Sequence, residues 1–304
     1  MSRKPITPEI ERDVATSIHL LVLAGLAVNP KWRIDNIVFQ GGTSISFAWR
    51  SPRFSEDLDF VVARGFDISA EMEQVKERVA EGMLTRHPGC QIGMRDRTKE
   101  GDRMSVFHIH AELPETIGKI KVKAEFWKAE PKAIAEYGRD SIYLPLGRAE
   151  ISPVFSVATP ERLMMDKLNA IAHREYLKWR DLFDIWYLEN NFHSRVEARF
   201  DNPEGFAAQM QISSALYGRE AAEAIPGLLE FLERDDAEIL KSAERDLKPW
   251  LPRELWEKFW PDTVARMLAA SKKSAKRATD LLSKSIAKTE KSGEKRAPRG
   301  VNIR

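Results

Sequence analysis

Two acidic residues, Asp57 and Asp59, stand two positions apart in the short β-prone segment Asp57-Leu58-Asp59-Phe60-Val61-Val62. On a strand, residues at i and i+2 share a face, so both carboxylates would emerge together while Leu58 and Phe60 point into the core. Two like charges side by side repel each other unless a hard divalent cation accepts oxygens from both. The pair therefore predicts one half of a metal site.

A third acid is available in the segment KIKVKAEFW, residues 119–127. Its apolar residues alternate with charged ones, which predicts a strand, and Glu125 is the only acid on the charged face. Taken alone, this face could simply be a solvated strand surface. Together with Asp57 and Asp59, Glu125 predicts a three-carboxylate metal site.

The run Gly41-Gly42-Thr43-Ser44 follows another short β-prone segment, Ile37-Val38-Phe39. Glycines allow the backbone to approach a ligand closely, and a helix that begins there would point unpaired N–H groups at an anion such as a triphosphate. A glycine pair alone is a weak signal, so the prediction of a nucleotide-binding loop depends on the nearby acids.

Three further charged residues lie in the helical second half. Lys167 is surrounded at helical spacing by Leu163, Met164, Ala170 and Ile171, so its ammonium emerges from an apolar stripe. It could snorkel to water or reach phosphates bound by the first half. Asp181 and Asp184 share one helix face, and their alternative role is a structural ion pair with Arg180, Lys178 or Lys167.

The elements that must position these residues change type near Pro153. Before it, a first helix from Pro8 to about Val28, a helix over residues 68–86 and several strands predict an α+β domain with a mostly antiparallel or mixed sheet. After it, helical periodicity is broken only by Gly and Pro, which predicts an all-helical domain. We expect an α+β domain at 1–152, a helical domain at 153–270 and a basic, partly flexible tail at 271–304.

Composition limits the class of protein. The chain has 304 residues, 43% of them hydrophobic, and no apolar run of the roughly 18 to 20 residues that a membrane span needs. Without a secretory h-region near its start, it is expected to act in the cytoplasm. Its single cysteine, Cys90, predicts neither an internal disulfide nor a cysteine zinc site.

Charge is distributed unevenly along the chain. Residues 271–304 contain 11 Lys and Arg against 3 Asp and Glu, a net of +8, so the rest carries −6 of the total of +2. A basic tail on an acidic body could bind RNA or DNA phosphates by counterion release, or it could be a solvated end.

Taken in order, these motifs resemble the AbiEii/AbiGii-type toxins and the related MenT toxins, a branch of the DNA polymerase beta-like nucleotidyltransferase superfamily. The resemblance covers roughly residues 35–190. It is carried by four segments: GGTSISFAWRSPRFSEDLDF, the Lys-x-Glu strand motif at 123–125, ERLMMDKLNAIAHR and KWRDLFDIWYL. This chain has Thr43 where many members have serine, and Glu125 where aspartate is commoner.

The resemblance implies roles for individual residues. Asp57 and Asp59 would bind Mg²⁺ or Mn²⁺, and Lys167 would contact the triphosphate. The remaining positions implied near the nucleotide or the reaction are Gly41, Gly42, Thr43, Ser44, Ser55, Asp181 and Asp184.

The implied reaction transfers a nucleoside monophosphate from a nucleoside triphosphate, with pyrophosphate leaving. In the related toxins the acceptor is often the 3′ end of tRNA, and a cognate antitoxin is expected as a partner. Two alternatives stay open at this stage. The acceptor could be a protein hydroxyl, or the chain could be a catalytically silent protein that binds through its basic tail.

Overall fold

The fold was examined in a computed structural model, which describes residues 3–29, 36–99, 101, 103–143 and 154–294, with side chains as far as residue 288. The chain divides into two compact units, Met1–Thr159 and Pro160–Arg304. The boundary expected at 152/153 lies outside the described residues. The division falls later because the strand at 154–158 still pairs within the sheet of the first unit.

The first unit is α+β, as the sequence predicted. Its strands are β1 (Lys4–Pro5), β2 (Ile37–Gln40), β3 (Leu58–Ala63), β4 (Gln91–Asp96), β5 (Met104–Glu112), β6 (Thr116–Ile117), β7 (Ile120–Ala129), β8 (Arg139–Tyr143) and β9 (Val154–Ala158). Its helices are α1 (Pro8–Ala27), α2 (Gly41–Phe47), α3 (Ile68–Arg86) and α4 (Pro131–Glu136).

The main sheet has seven strands in the order β4-β5-β7-β3-β2-β9-β8. It is mixed: β3 and β7 are parallel, as are β2 and β9, while the other neighbours are antiparallel. The short strands β1 and β6 pair separately. A parallel β3–β7 pair requires a long crossover, and α3 with β4 and β5 provides it.

One face of this sheet is covered by α1 and α3, which are amphipathic and bury their apolar stripes. Beneath them Phe60 of β3 and Phe126 of β7 stack in parallel, with ring centroids 4.8 Å apart. Because side chains alternate along a strand, burying Phe60 and Phe126 turns their neighbours Asp59 and Glu125 to the other face.

The second unit is helical, as predicted. Its helices are α5 (Pro160–His173), α6 (Trp179–Asn191), α7 (His193–Phe200), α8 (Pro203–Leu216), α9 (Ala224–Glu233), α10 (Asp236–Asp246), α11 (Arg253–Phe259) and α12 (Asp262–Glu294). None of the helices in the described part of the chain is long and apolar enough to cross a membrane.

The basic segment expected to be a separate tail from residue 271 is, as far as residue 294, the continuation of α12. Ser271, Ala275, Ala278 and Leu282 recur at helical spacing and are buried, so this segment contributes to the core of the helical unit. The tail was expected to begin at residue 271 because charged residues separate these small and apolar positions, so their helical spacing is hard to recognise in the sequence. Residues 295–304 lie outside the described part.

Cations of α12 are bound to acids of the same unit. The pairs are Lys272 with Asp236, Lys273 with Glu189, Arg277 with Glu197, and Lys288 with Glu204. The charge difference between the tail and the body is therefore partly neutralised within the helical unit, and these cations are less available to an external phosphate.

A buried histidine of α1 holds the segment that leads into β3. His19 is 2% exposed, and its Nε2–H donates to the carbonyl oxygen of Glu56 at 2.8 Å. Burial lowers the pKa of His19 to about 4, and the Glu56 carbonyl and the Asp57 charge only partly oppose this shift. His19 is therefore a neutral donor that fixes the backbone beside Asp57.

This lowered pKa predicts a stability that depends on pH. From an ordinary value of 6.5 down to about 4, the unfolded chain binds a proton that the folded protein does not, so the free energy of unfolding falls as the pH drops through this window. Urea unfolding at about pH 7 and about pH 5 should show roughly 2 kcal/mol more loss for the wild type than for His19→Gln, which cannot titrate. An equal loss in both proteins would contradict this role of His19.

Candidate active site

Two of the predicted metal ligands lie side by side on neighbouring strands. In the parallel pairing of β3 with β7, Asp59 is in register with Glu125, and Gln40 of β2 lies opposite Asp59 on the other side. Asp57 directly precedes β3, which begins at Leu58, so only Asp59 of the acidic pair is within the strand. The alternation expected from sequence nevertheless extends to Asp57, because Leu58 and Phe60 are buried while Asp57 and Asp59 are partly exposed.

A lysine lies between two of these acids. The Lys123 Nζ is 2.8 Å from Glu125 Oε1 and 3.2 Å from Asp57 Oδ2. Burial acts to lower the pKa of Lys123, but the hydrogen bond that its ammonium donates to Glu125 and the charge of Asp57 outweigh burial and raise that pKa well above its ordinary value. Lys123 is thus a charged counter-ion for both carboxylates.

The donor chemistry of the three acids fits a hard divalent cation, since Asp57, Asp59 and Glu125 all offer carboxylate oxygens from the same region of the sheet. Among the described residues, no three His, Cys, Asp or Glu side chains converge closely enough to hold a metal ion. The metal-binding role of the three acids stays a prediction, and it requires Lys123 to release at least one carboxylate.

The glycine pair forms a cradle beside Asp59. Gly41 has a φ of +76°, and a Cβ at this position would lie 2.2 Å from Asp59 Oδ2. A Cβ on Gly42 would lie 2.3 Å from Arg53 Nη2 and 2.8 Å from Ser55 Oγ. Only glycine permits both approaches, so the backbone at 41–42 contacts an acid, a cation and a hydroxyl at once.

Thr43 and Ser44 are buried in the short helix α2, which begins at Gly41 as expected. Thr43 Oγ1 donates to the carbonyl oxygen of Asp57, and Ser44 Oγ donates to that of Gly41 at 2.8 Å. The Thr43 hydroxyl therefore ties the glycine loop to the acidic segment, and the Ser44 hydroxyl holds the start of the loop itself. Their nucleotide-binding role, like those of Gly41, Gly42 and Ser55, stays a prediction.

Sequence reasoning did not single out Arg53 as a site residue. Its side chain is almost fully buried, and its Nη1 donates to the carbonyl oxygen of Phe54 at 2.7 Å while Nη2 lies against Gly42. A buried guanidinium beside a glycine loop can neutralise a phosphate bidentately. The only sequence signal was a cation between Pro52 and Phe54, which is too short a pattern to interpret.

The three predicted residues of the helical unit form a buried ionic cluster. Lys167 Nζ of α5 is 2.9 Å from Asp181 Oδ1 and 2.7 Å from Asp184 Oδ2, both on α6. Arg174 also pairs with Asp181. The ion pair with Lys167, which the sequence left open for both aspartates, is present. Contact of Lys167 with a triphosphate stays a prediction.

This cluster makes a prediction about stability. Lys167→Met keeps the apolar stem but removes the charge that faces two buried carboxylates, so the free energy of unfolding should fall by on the order of 3 kcal/mol. Adding Asp184→Asn should recover part of that loss, because it removes one of the uncompensated charges. Urea unfolding measures both, with the exposed Lys258→Met as the matched control. A stability unchanged from wild type would show that the pairing contributes nothing.

The family model described as "Nucleotidyl transferase AbiEii toxin, Type IV TA system" matches residues 23–270. No curated protein sequence shows significant similarity to the chain.

Among solved structures, an H. pylori protein assigned as a nucleotidyltransferase aligns with a TM-score of 0.52 and 17% identity, over 90% of this chain and 96% of that one. JHP933 from Helicobacter pylori aligns with a TM-score of 0.49 and 17% identity, over 91% and 95%. At this identity the first likeness concerns the fold. The family match spans most of the chain and both units, and the chain therefore belongs to the AbiEii nucleotidyl transferase toxin family of type IV toxin–antitoxin systems.

Proposed function

We propose that this nucleotidyltransferase uses Mg²⁺ to transfer a nucleoside monophosphate from a nucleoside triphosphate to the 3′ end of tRNA, and that it acts in the cytoplasm as a toxin controlled by an antitoxin. The observation that carries the proposal is the register of Asp59 with Glu125, beside a glycine loop whose backbone contacts Asp59. Acids and phosphate-binding backbone then lie within one small region of the first unit.

The residues of this region divide the work by their chemistry. Asp57 and Asp59 would hold the metal with Glu125 as a third donor. A bound divalent ion would supply charge neutralisation at the phosphates and would activate the attacking hydroxyl. The amides at Gly41 and Gly42 would approach the phosphates, and Arg53, already fixed against Gly42, would add positive charge there.

Lys123 has a different function in the proposal. With no metal bound, Asp57 and Glu125 need a counter-ion, and the Lys123 ammonium provides it at 3.2 and 2.8 Å. It holds the two carboxylates close together, which lowers the reorganisation needed when a divalent ion takes its place. Lys123 is thus a positioning residue for the acids.

Two features support an RNA acceptor. The family is one of toxins, and blocking the tRNA 3′ end is a direct route to arrested translation. The last ten residues add four cations and no acid, at Lys295, Arg296, Arg299 and Arg304. A protein hydroxyl as acceptor would make no use of these cations, so we favour RNA.

The catalytic part of the proposal predicts that Asp59→Asn and Glu125→Gln lower monophosphate transfer at least about 100-fold while the fold is retained, since each removes a metal-ligand charge. The matched control is Glu112→Gln on β5, because Glu112 also pairs with a lysine on a strand but lies away from the glycine loop. Transfer is measured with labelled triphosphates, MgCl₂ and total tRNA, and growth arrest on expression should follow the same order. Full transfer by Asp59→Asn would show that the site is elsewhere.

The acceptor part predicts an effect of the C-terminal cations on RNA binding. Truncation after Glu294 removes four cations and leaves the buried residues of α12 in place, whereas truncation after Ala270 would also remove the buried residues from Ser271 onwards. Filter binding of tRNA across a salt series should show that the truncated chain binds more weakly than the full chain. The slope of log K against log salt should be shallower for the truncated chain, by up to about 3 if all four cations contact phosphates. Identical slopes for the two lengths of chain would exclude a role of these cations in RNA binding.

A further inference from the structure

The helical unit contains a cleft of about 430 Å³ that is separate from the Lys167 cluster. It lies where the loop between α5 and α6 meets the end of α10 and the following 3-10 turn, Lys248–Trp250. We call it the Tyr176–Trp250 cleft. The charged and aromatic residues that line it are Tyr176, Lys178, Arg180, Arg245, Asp246 and Trp250.

Aromatic rings and cations alternate along this cleft. The Lys178 Nζ lies 5.7 Å from the centre of the Tyr176 ring, and the Arg180 guanidinium lies 4.0 Å from the centre of the Trp250 ring. Tyr176 is 63% exposed, which is unusual for a large aromatic side chain and leaves much of its surface open to a ligand. The floor is rigid, because the buried Trp179 donates from Nε1 to Ser242 Oγ at 2.8 Å.

The charges of the cleft favour an anion. Among the described residues, the lining of the cleft carries three cations, Lys178, Arg180 and Arg245, and one acid, Asp246, which pairs with Arg245 at 2.7 Å. The cleft also contains the first residues of α6, a helix of 13 residues whose N-cap, Lys178, makes no capping hydrogen bond with its side chain. The positive end of the helix dipole therefore adds to the field of Lys178 and Arg180.

We propose that the Tyr176–Trp250 cleft binds a nucleotide of single-stranded RNA, with its base stacked on Tyr176 and its phosphate held by Lys178 and Arg180. Exposed aromatic faces interleaved with cations are what a single strand requires, since every base offers a π-face and every phosphate one charge. This inference rests on the proposed function, because it names the surface that holds the RNA acceptor.

A free nucleoside triphosphate fits the cleft less well. A triphosphate normally arrives with a divalent cation, and the one carboxylate that lines the cleft among the described residues is already paired with Arg245. The phosphates of a single-stranded RNA each carry one charge and are spaced along the chain, so they match the separate cations of the cleft better than a triphosphate with its metal does. Both sources present a base and phosphate, so the experiment must separate them.

The test measures binding of a fluorescein-labelled single-stranded RNA of about 12 nucleotides, by anisotropy, to the full chain in EDTA without triphosphate. Tyr176→Ala should weaken binding roughly 5-fold to 100-fold, the range that loss of one stacked base produces, while Tyr176→Phe should retain it. Tyr217→Ala is the matched control, since Tyr217 is also an exposed tyrosine of the helical unit but does not line the cleft.

A second pair of variants tests the charge. Arg180→Gln should weaken RNA binding and reduce the logarithmic salt slope by about 0.7, as expected for one phosphate contact to a single strand. Arg253→Gln, which removes an exposed arginine on α11, should leave the slope unchanged. Circular dichroism confirms that each variant is folded, and the unfolding midpoint of Tyr176→Ala should match that of wild type.

Three results would overturn the proposal: no RNA binding by the wild type, equal affinities of Tyr176→Ala and Tyr217→Ala, or a loss of triphosphate affinity with RNA binding unchanged. The last would make the cleft a nucleotide pocket. These failures are distinct from failure of the proposed function. If Tyr176→Ala transfers the monophosphate normally and binds RNA with unchanged affinity, the cleft proposal alone is rejected. If RNA binding depends on Tyr176 but the wild type transfers no monophosphate, the proposed reaction alone is rejected.

Discussion

The parallel pairing of β3 with β7 is the constraint on which the rest of the first unit depends. It places Phe60 over Phe126 on the face covered by α1 and α3, and the same register places Asp59 beside Glu125 on the other. Because side chains alternate with a period of two, a slip of β7 by one residue would turn Glu125 towards the core and Phe126 away from it. Hydrophobic burial therefore fixes the geometry of the acids.

Charges brought together by folding are compensated locally in both units. Lys123 neutralises Asp57 and Glu125 on a partly exposed face of the sheet, and Lys167 neutralises Asp181 and Asp184 in a buried position. The two pairings differ in cost, because the Lys123 side chain is 36% exposed and loses less hydration than the Lys167 side chain, which is 12% exposed. A half-exposed lysine can leave its partners for a competing cation, whereas the buried cluster behaves as part of the core of its unit.

The long helix α12 changes the meaning of the charge pattern. In sequence, a basic C-terminal segment appears to be separate from an acidic body, yet the cations at 272, 273, 277 and 288 each meet an acid of the helical unit. The segment that looked like a tail is a packing element with buried Ser271 and Leu282. Within the described residues, cations with access to a phosphate are better sought in the Tyr176–Trp250 cleft.

Much of the architecture followed from the sequence alone. The α+β first half, the all-helical second half, the strand at 120–129 with alternate residues buried, and the helix that begins at Gly41 all depend on local periodicity and on glycine and proline, which are short-range properties. The family motifs added the identity of the acids. Tertiary structure alone decided the partners: which strand lies beside β3, that Lys123 bridges two acids, that Arg53 packs on Gly42, and that Lys167 meets Asp181 and Asp184. These contacts join residues far apart in the chain, or side chains whose direction depends on packing, so no local pattern encodes them.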